Sequence, residues 1–596
     1  FPTSPLPSKI QNPKSKIPNP LPLWADELYL ELHRGCYTTH ADQKRFNRRC
    51  EDLLYQAELF STIAQLVAGV PYPKVDLEEA WQKLLFNQFH DILPGSSIPE
   101  VFEDANRDWG VVKQIGKRVL ERALVEISTQ ILMPQTSPHP DAKPLVVFNA
   151  LSWERSEVVT HLIPEAVPGH LNLHWRLYDF EGKLVPSQTR LTVRSEQAFC
   201  EISWLAESVP SVGYRGYWLC PDETEAGATE VSLSQPTVPR QDYVLTNQCL
   251  QVTVNAATGD ITSLFDKAQQ REVLSAPANQ LQVFRDQGQY WDAWNIAPDY
   301  EDHPLPPAQL KSITWFDRGP LRQRLRVVRQ LGNSEVRQYY SLEAHSPILK
   351  IETWVNWSAT QVVLKVNFPL TVEANHATYE APFGSIARPT RPQTNTEKAK
   401  WEVPALRWAD LSDDAFGVSI LTDCKHGFDA KPNQLRLTLL KAPLWPDPDA
   451  DRGSHHFTYA IYPHPGNSTE GWQRTPHRTR ELNMPMTVMM LDALPEAASA
   501  LEPPRQFPHA PAAYSFLQVE PSNLMLAAFK PAEDHPDELI MRAYDATGQG
   551  GEMALTNVLG LGLAAPTNLL EQSVDASFNA PHKIHTYRFK AYKPMP

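Results

Sequence analysis

Between Ala41 and Val67, apolar side chains recur every three or four positions, with charged residues between them: Phe46, Cys50, Leu53, Leu54, Ala57, Phe60 and Ala64. That period puts them on one face of an α-helix. Gly69 and Pro71 end the pattern. A second helix is predicted from near Asp76, whose carboxylate can cap it with Glu79 three residues on. Ala80, Trp81, Leu84, Leu85 and Gln88 mark its inner face, and Pro94-Gly95 breaks it. Ser97-Ile98-Pro99-Glu100 reads as a capping box with proline in the first turn. It opens a long helix to about Leu132 with Val101, Ala105, Trp109, Val112, Val119, Leu124 and Ile127 as its inner stripe. Three helices with short links predict an antiparallel bundle.

Residues 133–144 are proline-rich, and beyond them the period shortens to two. Short β-rich runs with turn residues between them follow, then a second strand-rich region from Tyr243, where YVLTNQCLQVTVNAATGDITSLFD reads as strand, hairpin and strand. Alternation in RQRLRVVRQL, LKIETWVNW and QVVLKVNFPL fits sheets with one face buried. The predicted class is α+β and multidomain: a three-helix bundle, then two or three β-sandwich domains. The expected boundaries are a linker over 1–22, the bundle over 23–134, a first sandwich over 135–240, a large sandwich over 241–505 and a C-terminal β domain over 506–596.

Composition narrows the function classes. The 596 residues are 42% hydrophobic and carry a net charge of −14, enough apolar material for several packed cores. No stretch concentrates Lys and Arg into a phosphate-tracking surface, so nucleic acid and anionic membrane are not expected partners. No apolar run is long enough to span a bilayer. Six cysteines without CxxC spacing read as free thiols of a reducing compartment. The chain opens at Phe1 in a proline-rich stretch that reads as an extended linker, which leads to the expectation that something precedes it.

The segment carrying chemistry is Trp81 to Ile98, WQKLLFNQFHDILPGSSI, where Asn87, Gln88, His90 and Asp91 crowd the end of an apolar helix. His90 is a candidate metal ligand. Asp91 is a candidate acceptor for substrate hydroxyls or an orienting partner. The competing reading is a helix C-terminus at which imidazole meets free carbonyls. Two His-x-Asp triplets, His139-Pro140-Asp141 and His535-Pro536-Asp537, follow no buried strand, as a rigid metal shell requires, and His455-His456 has no ligand spacing. Gly560 to Ala565 fits GxGxxA nominally, without the βαβ unit that would give it meaning. Trp291, Asp292 and Trp294 either border a cleft or belong to a core.

NQFHDILPGSSI resembles the second signature of the family 38 glycoside hydrolases, the retaining α-mannosidases, and ELYLELHRGCYTTHADQKRFNRRCE resembles the same family's helical segment. VFNALSWERSEVV, LQVTVNAATGDITSLFDK, YEAPFGSIARPT and APLWPDPDADRGSHHFTYAIYPHPG resemble its β-domain blocks, so the similarity runs from about Leu23 to the C-terminus. The resemblance implies a large supersandwich of the galactose-mutarotase type, one zinc ion per active site with His90 as a ligand, and Asp91 in contact with mannose hydroxyls. It places His33 near the sugar and brings Arg452, within Asp451-Arg452-Gly453, to the cleft as a substrate contact. Arg34 could fork onto nearby carboxylates. In the family, the other zinc ligands and the nucleophile come from an α/β domain that precedes the bundle, and no counterpart stands here. No catalytic residue is therefore expected in this chain, which by itself should bind zinc weakly or not at all and should not hydrolyse mannosides. Expected partners are α-mannoside oligosaccharides and that N-terminal domain, with homo-oligomerisation plausible and a cytoplasmic location. The alternative is a non-catalytic carbohydrate-binding or scaffolding protein.

Overall fold

Apolar stripes on three helices decide the first layer. In the computed structural model, which describes residues 27–131, 134, 136–164, 175–194, 197–222, 242–287, 290–467, 471–491, 512–535, 537–574 and 584–591, these are α1 (Ala41–Ala68), α2 (Lys74–Asn87) and α3 (Pro99–Ser128). The linker expected over 1–22 lies outside the described residues. Residues up to Glu31 form a separate unit, of which 27–31 are described and hold no helix or strand; Leu32 onward is one compact unit.

α1 stops where Gly69 adopts the left-handed conformation at φ 70, which glycine takes without steric cost. Pro73 holds the N-cap position of α2, so Asp76 falls in the first turn and pairs with Arg118 at 2.9 Å instead of capping. The Ser97 capping box does not form. Ile98 holds the N-cap position of α3, and Pro99 supplies the first turn. α3 ends at Ser128, short of the predicted Leu132. The predicted inner face of α2 needs a second correction: Leu77, Ala80, Leu84 and Asn87 are buried, but Leu85 is 58% exposed. A helix packing by one narrow stripe turns the residue after Leu84 outward by about 100°.

The bundle closes no core of its own. Leu54, Phe60 and Ile63 of α1 and Trp109 of α3 share one apolar cluster with Phe148, Tyr214 and Trp218 of the first β domain and with Phe529 and Met541 near the C-terminus. Burying each such side chain contributes roughly 1.5–3 kcal/mol, so the β domains complete what the helices begin. Thr62 Oγ1 donates to Phe529 O at 3.1 Å and Tyr55 Oη to Ala150 O at 3.1 Å, fixing the seams.

The described strand pairs are antiparallel. The first β domain sets a sheet built on Lys143–Asn149, Gly213–Pro221 and Trp175–Asp179 beside a three-stranded sheet of Arg155–Pro164, Gln197–Val209 and Ser187–Arg194. Its sheet also takes in Thr487–Met490 (Leu145 opposite Met490) and Ala513–Ser515 (Tyr514 opposite Tyr214), so it is assembled from stretches lying on both sides of the boundary expected at 505. The large sandwich faces a nine-stranded sheet, running from Gln309–Arg318 at one edge to Gly384–Pro389 at the other, with sheets of five and four strands. Tyr459 of the nine-stranded sheet bonds Asn279 across the interior at 2.5 Å. Leu524–Pro531, Glu538–Asp545, Ile584–Ala591 and Leu561–Pro566 make the last sheet. The α+β class and the order of helices before sandwiches hold.

Candidate functional site

The turn after α2 is anchored on both sides. The Gln88 amide donates to Asn47 Oδ1 at 2.9 Å and Glu51 Oε1 at 3.0 Å on α1. Lys44 Nζ donates to Thr39 O (2.5 Å), Leu93 O (2.9 Å) and Pro94 O (3.2 Å), and burial pushes this ammonium down to about 8. Gly95 sits at φ 82, where a Cβ would overlap the Thr39 carbonyl and stand 2.7 Å from His40 Cβ. Only glycine lets the turn pack this closely.

Between these anchors His90 and Asp91 project outward, with side chains 78% and 46% exposed and His90 Nε2 3.5 Å from Asp91 Oδ2. Ser96 Oγ donates weakly to Asp91 Oδ1 at 3.4 Å, and the Phe89 ring lies 4.3 Å from the imidazole. Among the described ion pairs, the partner of the His90 ring is Asp91.

Two further loops meet the turn through residues 35–41. Gly35 N and Cys36 N donate to Trp294 O at 2.6 and 3.2 Å, and Thr39 Oγ1 to Ala293 O at 2.7 Å. A Cβ on Gly35 would stand 2.8 Å from Ala293 O. Burial pushes the Cys36 thiol up to about 11. Trp291, Trp294 and Trp445 form a cluster with ring centres 5.4 to 5.9 Å apart, and Trp291 and Trp445 are about half exposed. This cluster belongs to the loop face, not to a core. Asp292 accepts from Leu444 N at 2.6 Å, and burial pushes its carboxyl up.

The last loop caps α1. Asp451 accepts from His40 N at 2.9 Å and Ala41 N at 2.8 Å. The His40 imidazole lies between Asp447 (2.9 Å) and Asp42 (3.4 Å). Burial opposes its charge, but these carboxylates outweigh burial and hold it up to about 9. His40-Ala41-Asp42 is a third His-x-Asp triplet that sequence reasoning missed. Its signal, a triplet opening a long amphipathic helix, is visible in the chain. Both of its side chains are committed to structure.

The remaining sequence candidates are dispersed. His33 is half-buried two residues before Gly35, while Arg34 donates to Ala399 O at 2.8 and 3.2 Å and lies 4.0 Å above the Trp401 ring. Arg452 is half exposed and pairs with Asp449 at 2.6 Å. His455 contacts Asp451 O at 2.8 Å, and His456 pairs with Glu352 and stacks on Trp354. Asp141 N donates to His139 Nδ1 at 3.1 Å in an exposed turn, and Pro536 lies outside the described residues. Gly562 and its neighbours form an edge strand paired with Ile584–Ala591. The six cysteines are free thiols.

Among the described residues no three His, Cys, Asp or Glu side chains stand close enough to hold a metal ion. A zinc site takes three or four protein donors. His90 with Asp91 offers an exposed nitrogen and an adjacent carboxylate, a fit to part of such a set.

Residues 31–127 match the family model described as the alpha mannosidase middle domain, 245–449 the glycosyl hydrolases family 38 C-terminal domain, and 523–589 the family 38 C-terminal beta sandwich domain. The chain is 32% identical over 561 residues to Alpha-mannosidase 2C1 of Mus musculus, covering 92% of this chain and 48% of that protein. It is 30% identical over 478 residues to Alpha-mannosidase G of Dictyostelium discoideum, covering 74% and 42%. The chain thus spans about half the length of these relatives. The crystal structure of an alpha-mannosidase from Enterococcus faecalis V583 superposes with a TM-score of 0.74 at 18% identity over 94% of this chain and 68% of that one, a likeness of fold.

Proposed function

Because this chain belongs to glycoside hydrolase family 38 and carries its middle and C-terminal domains, we propose that it forms one wall of the active site of a retaining, zinc-dependent exo-α-mannosidase acting on terminal α-mannosyl residues of oligosaccharides. The observation that carries this reading is the position of His90: an imidazole exposed to solvent on a turn that is clamped on both sides. A metal ligand needs an accessible lone pair and a rigid mount, and this residue has both. In this proposal His90 donates one nitrogen to zinc and Asp91 accepts hydrogen bonds from mannose hydroxyls, with His33 and Arg452 at the rim. The family's α/β domain, N-terminal to the bundle, supplies the other zinc donors, the nucleophile and the acid. Zinc, once bound, orients the sugar and polarises its hydroxyls. The described residues of this chain fall short of the three or four donors that zinc requires, so it should be inactive without that domain. The six free thiols support a reducing compartment, the cytoplasm.

The test joins the chain to a family α/β domain and replaces His90 by Ala. His90 is so exposed that stability should change by less than about 0.5 kcal/mol, while zinc content and 4-nitrophenyl α-mannoside hydrolysis should both collapse. Unchanged zinc and unchanged turnover would overturn the ligand assignment. A second reading, carbohydrate binding without catalysis, draws on the half-exposed Trp291 and Trp445 rings, which are apt to stack on a sugar face. Binding of methyl α-mannoside to the chain alone, lost in Trp291→Ala and kept in His90→Ala, would favour it.

A further inference from the structure

A cavity of about 400 Å³ lies away from the His90 turn, where the first β domain, the hairpin 343–350 of the nine-stranded sheet and the short helix Thr475–Asn483 meet. None of its lining residues belongs to the four loops of the candidate site. Domain junctions are preferred places for small-molecule sites, and the volume falls in their usual range.

Its walls are charged, yet the charges cancel. Glu157 pairs with Arg155 at 3.1 Å, Glu343 with Lys350 at 2.8 Å, and Glu481 with Arg478 at 2.9 Å, while Glu154 and Arg474 add one further charge of each sign. An entering ion would have to displace a pair. A neutral ligand rich in hydroxyls can bridge the pairs without disturbing their balance, because each paired carboxylate keeps acceptor lone pairs.

A fixed aromatic pair, Trp153 with His477, stands in the cavity wall. His477 is 4% exposed, and its Nε2–H donates to Ser522 O at 2.9 Å, so Nδ1 carries the free lone pair. Nδ1 is buried without a hydrogen-bond partner. Burial holds this imidazole neutral, pushing it down to about 4. Its ring sits edge-on against Trp153 at 4.4 Å, and Trp153 is itself held by an indole N–H bond to Glu481 at 3.0 Å. Nδ1 is closed off from the cavity, so the imidazole serves to hold the Trp153 ring in place. Trp153 supplies the apolar face on which sugar C–H groups pack.

We propose that this interdomain cavity is a binding site for a neutral saccharide, separate from the His90 site. The test titrates the full chain with D-mannose and, separately, with inorganic phosphate, followed by calorimetry and saturation-transfer NMR. Saturable mannose binding with Kd on the order of 1 mM is expected, unaffected by phosphate and retained in His90→Ala. Trp153→Leu, which removes the aromatic face, should weaken binding about tenfold. Glu154→Trp, at an exposed rim position that can be filled without touching the fold, should abolish it. No saturable binding would mean a water-filled cavity only and overturn the proposal. Binding untouched by both variants, or displaced by phosphate, would overturn it equally.

Discussion

His40 adopts the left-handed conformation at φ 52, uncommon for a residue with a side chain, at the joint where all four loops of the candidate site meet. Its imidazole is held at about 9 against an ordinary 6.5 because Asp42 and Asp447 outweigh burial. The sign follows from linkage: a base raised on folding adds stability that is complete below its unfolded value and is lost as pH rises through the folded one. The contribution should fade between pH 6.5 and about 9, by on the order of 1–3 kcal/mol. Lys44, pushed down to about 8 by burial, acts in the opposite sense as it sheds its proton at higher pH. The cleanest reading is therefore the difference between wild type and Asp447→Asn in thermal melts from pH 6 to 8. The variant should be less stable at pH 6, and the gap should narrow as pH rises. A constant gap would mean that Asp447 acts by packing alone. The turn that carries His90 was legible from Pro94-Gly95, whereas the placement of His40 was not, because a His-x-Asp triplet at a helix start looks the same whether its ring faces solvent or two carboxylates.

α1 is a helix of 28 residues whose N-terminus is capped from more than 400 residues away, by both oxygens of Asp451. Two orphan N–H groups are satisfied at once, and the carboxylate meets the positive end of the helix dipole. Asp451→Ala should cost about 1–2 kcal/mol in urea unfolding, with faster hydrogen exchange at 40–44. An effect below about 0.3 kcal/mol would show the cap to be replaceable by water. At this scale the three helices, the end of α1 and the inner stripes of α1 and α3 were legible, since three-residue periodicity and Gly69 are local signals, whereas the face of α2 and the end of α3 were not. Capping was not. The Ser97 box was plausible on spacing, yet Ile98 took the position because Pro99 needs an extended residue before it. Asp451 carries no local sign of the helix it caps. Strands were legible as runs, but the entry of Thr487–Met490 beside Lys143–Asn149 was not, because pairing partners are chosen by tertiary packing rather than by spacing.

Across the whole molecule, buried charge holds the large sandwich against the site. Lys365 is fully buried between Glu402 and Asp429, with Arg436 on the far side of Asp429 at 2.7 Å. Glu402 reaches the Gly427 backbone against which Thr38 packs, so this network backs the 35–41 segment. Lys365→Met would strand a buried carboxylate, and about 3–5 kcal/mol should be lost in equilibrium unfolding. Restoring the balance with Glu402→Gln should recover part of it. The outer surface argues in the other direction. Leu85, Phe86 and Phe89 precede His90 on α2 and its turn, and Trp291 and Trp445 stand on two other loops, each half exposed or more. Apolar rings grouped around a polar centre suit a surface that another polypeptide could cover. If a family α/β domain completes the zinc site from this side, Phe86→Glu should leave the melting temperature of the chain unchanged, since the ring is already in water. It should weaken association with that domain at least tenfold, read by calorimetry, and lower zinc retention in the joined protein to match. Undiminished association would mean that the completing segment approaches His90 from the side of the tryptophans, and Trp445→Ala would then be the substitution that breaks it.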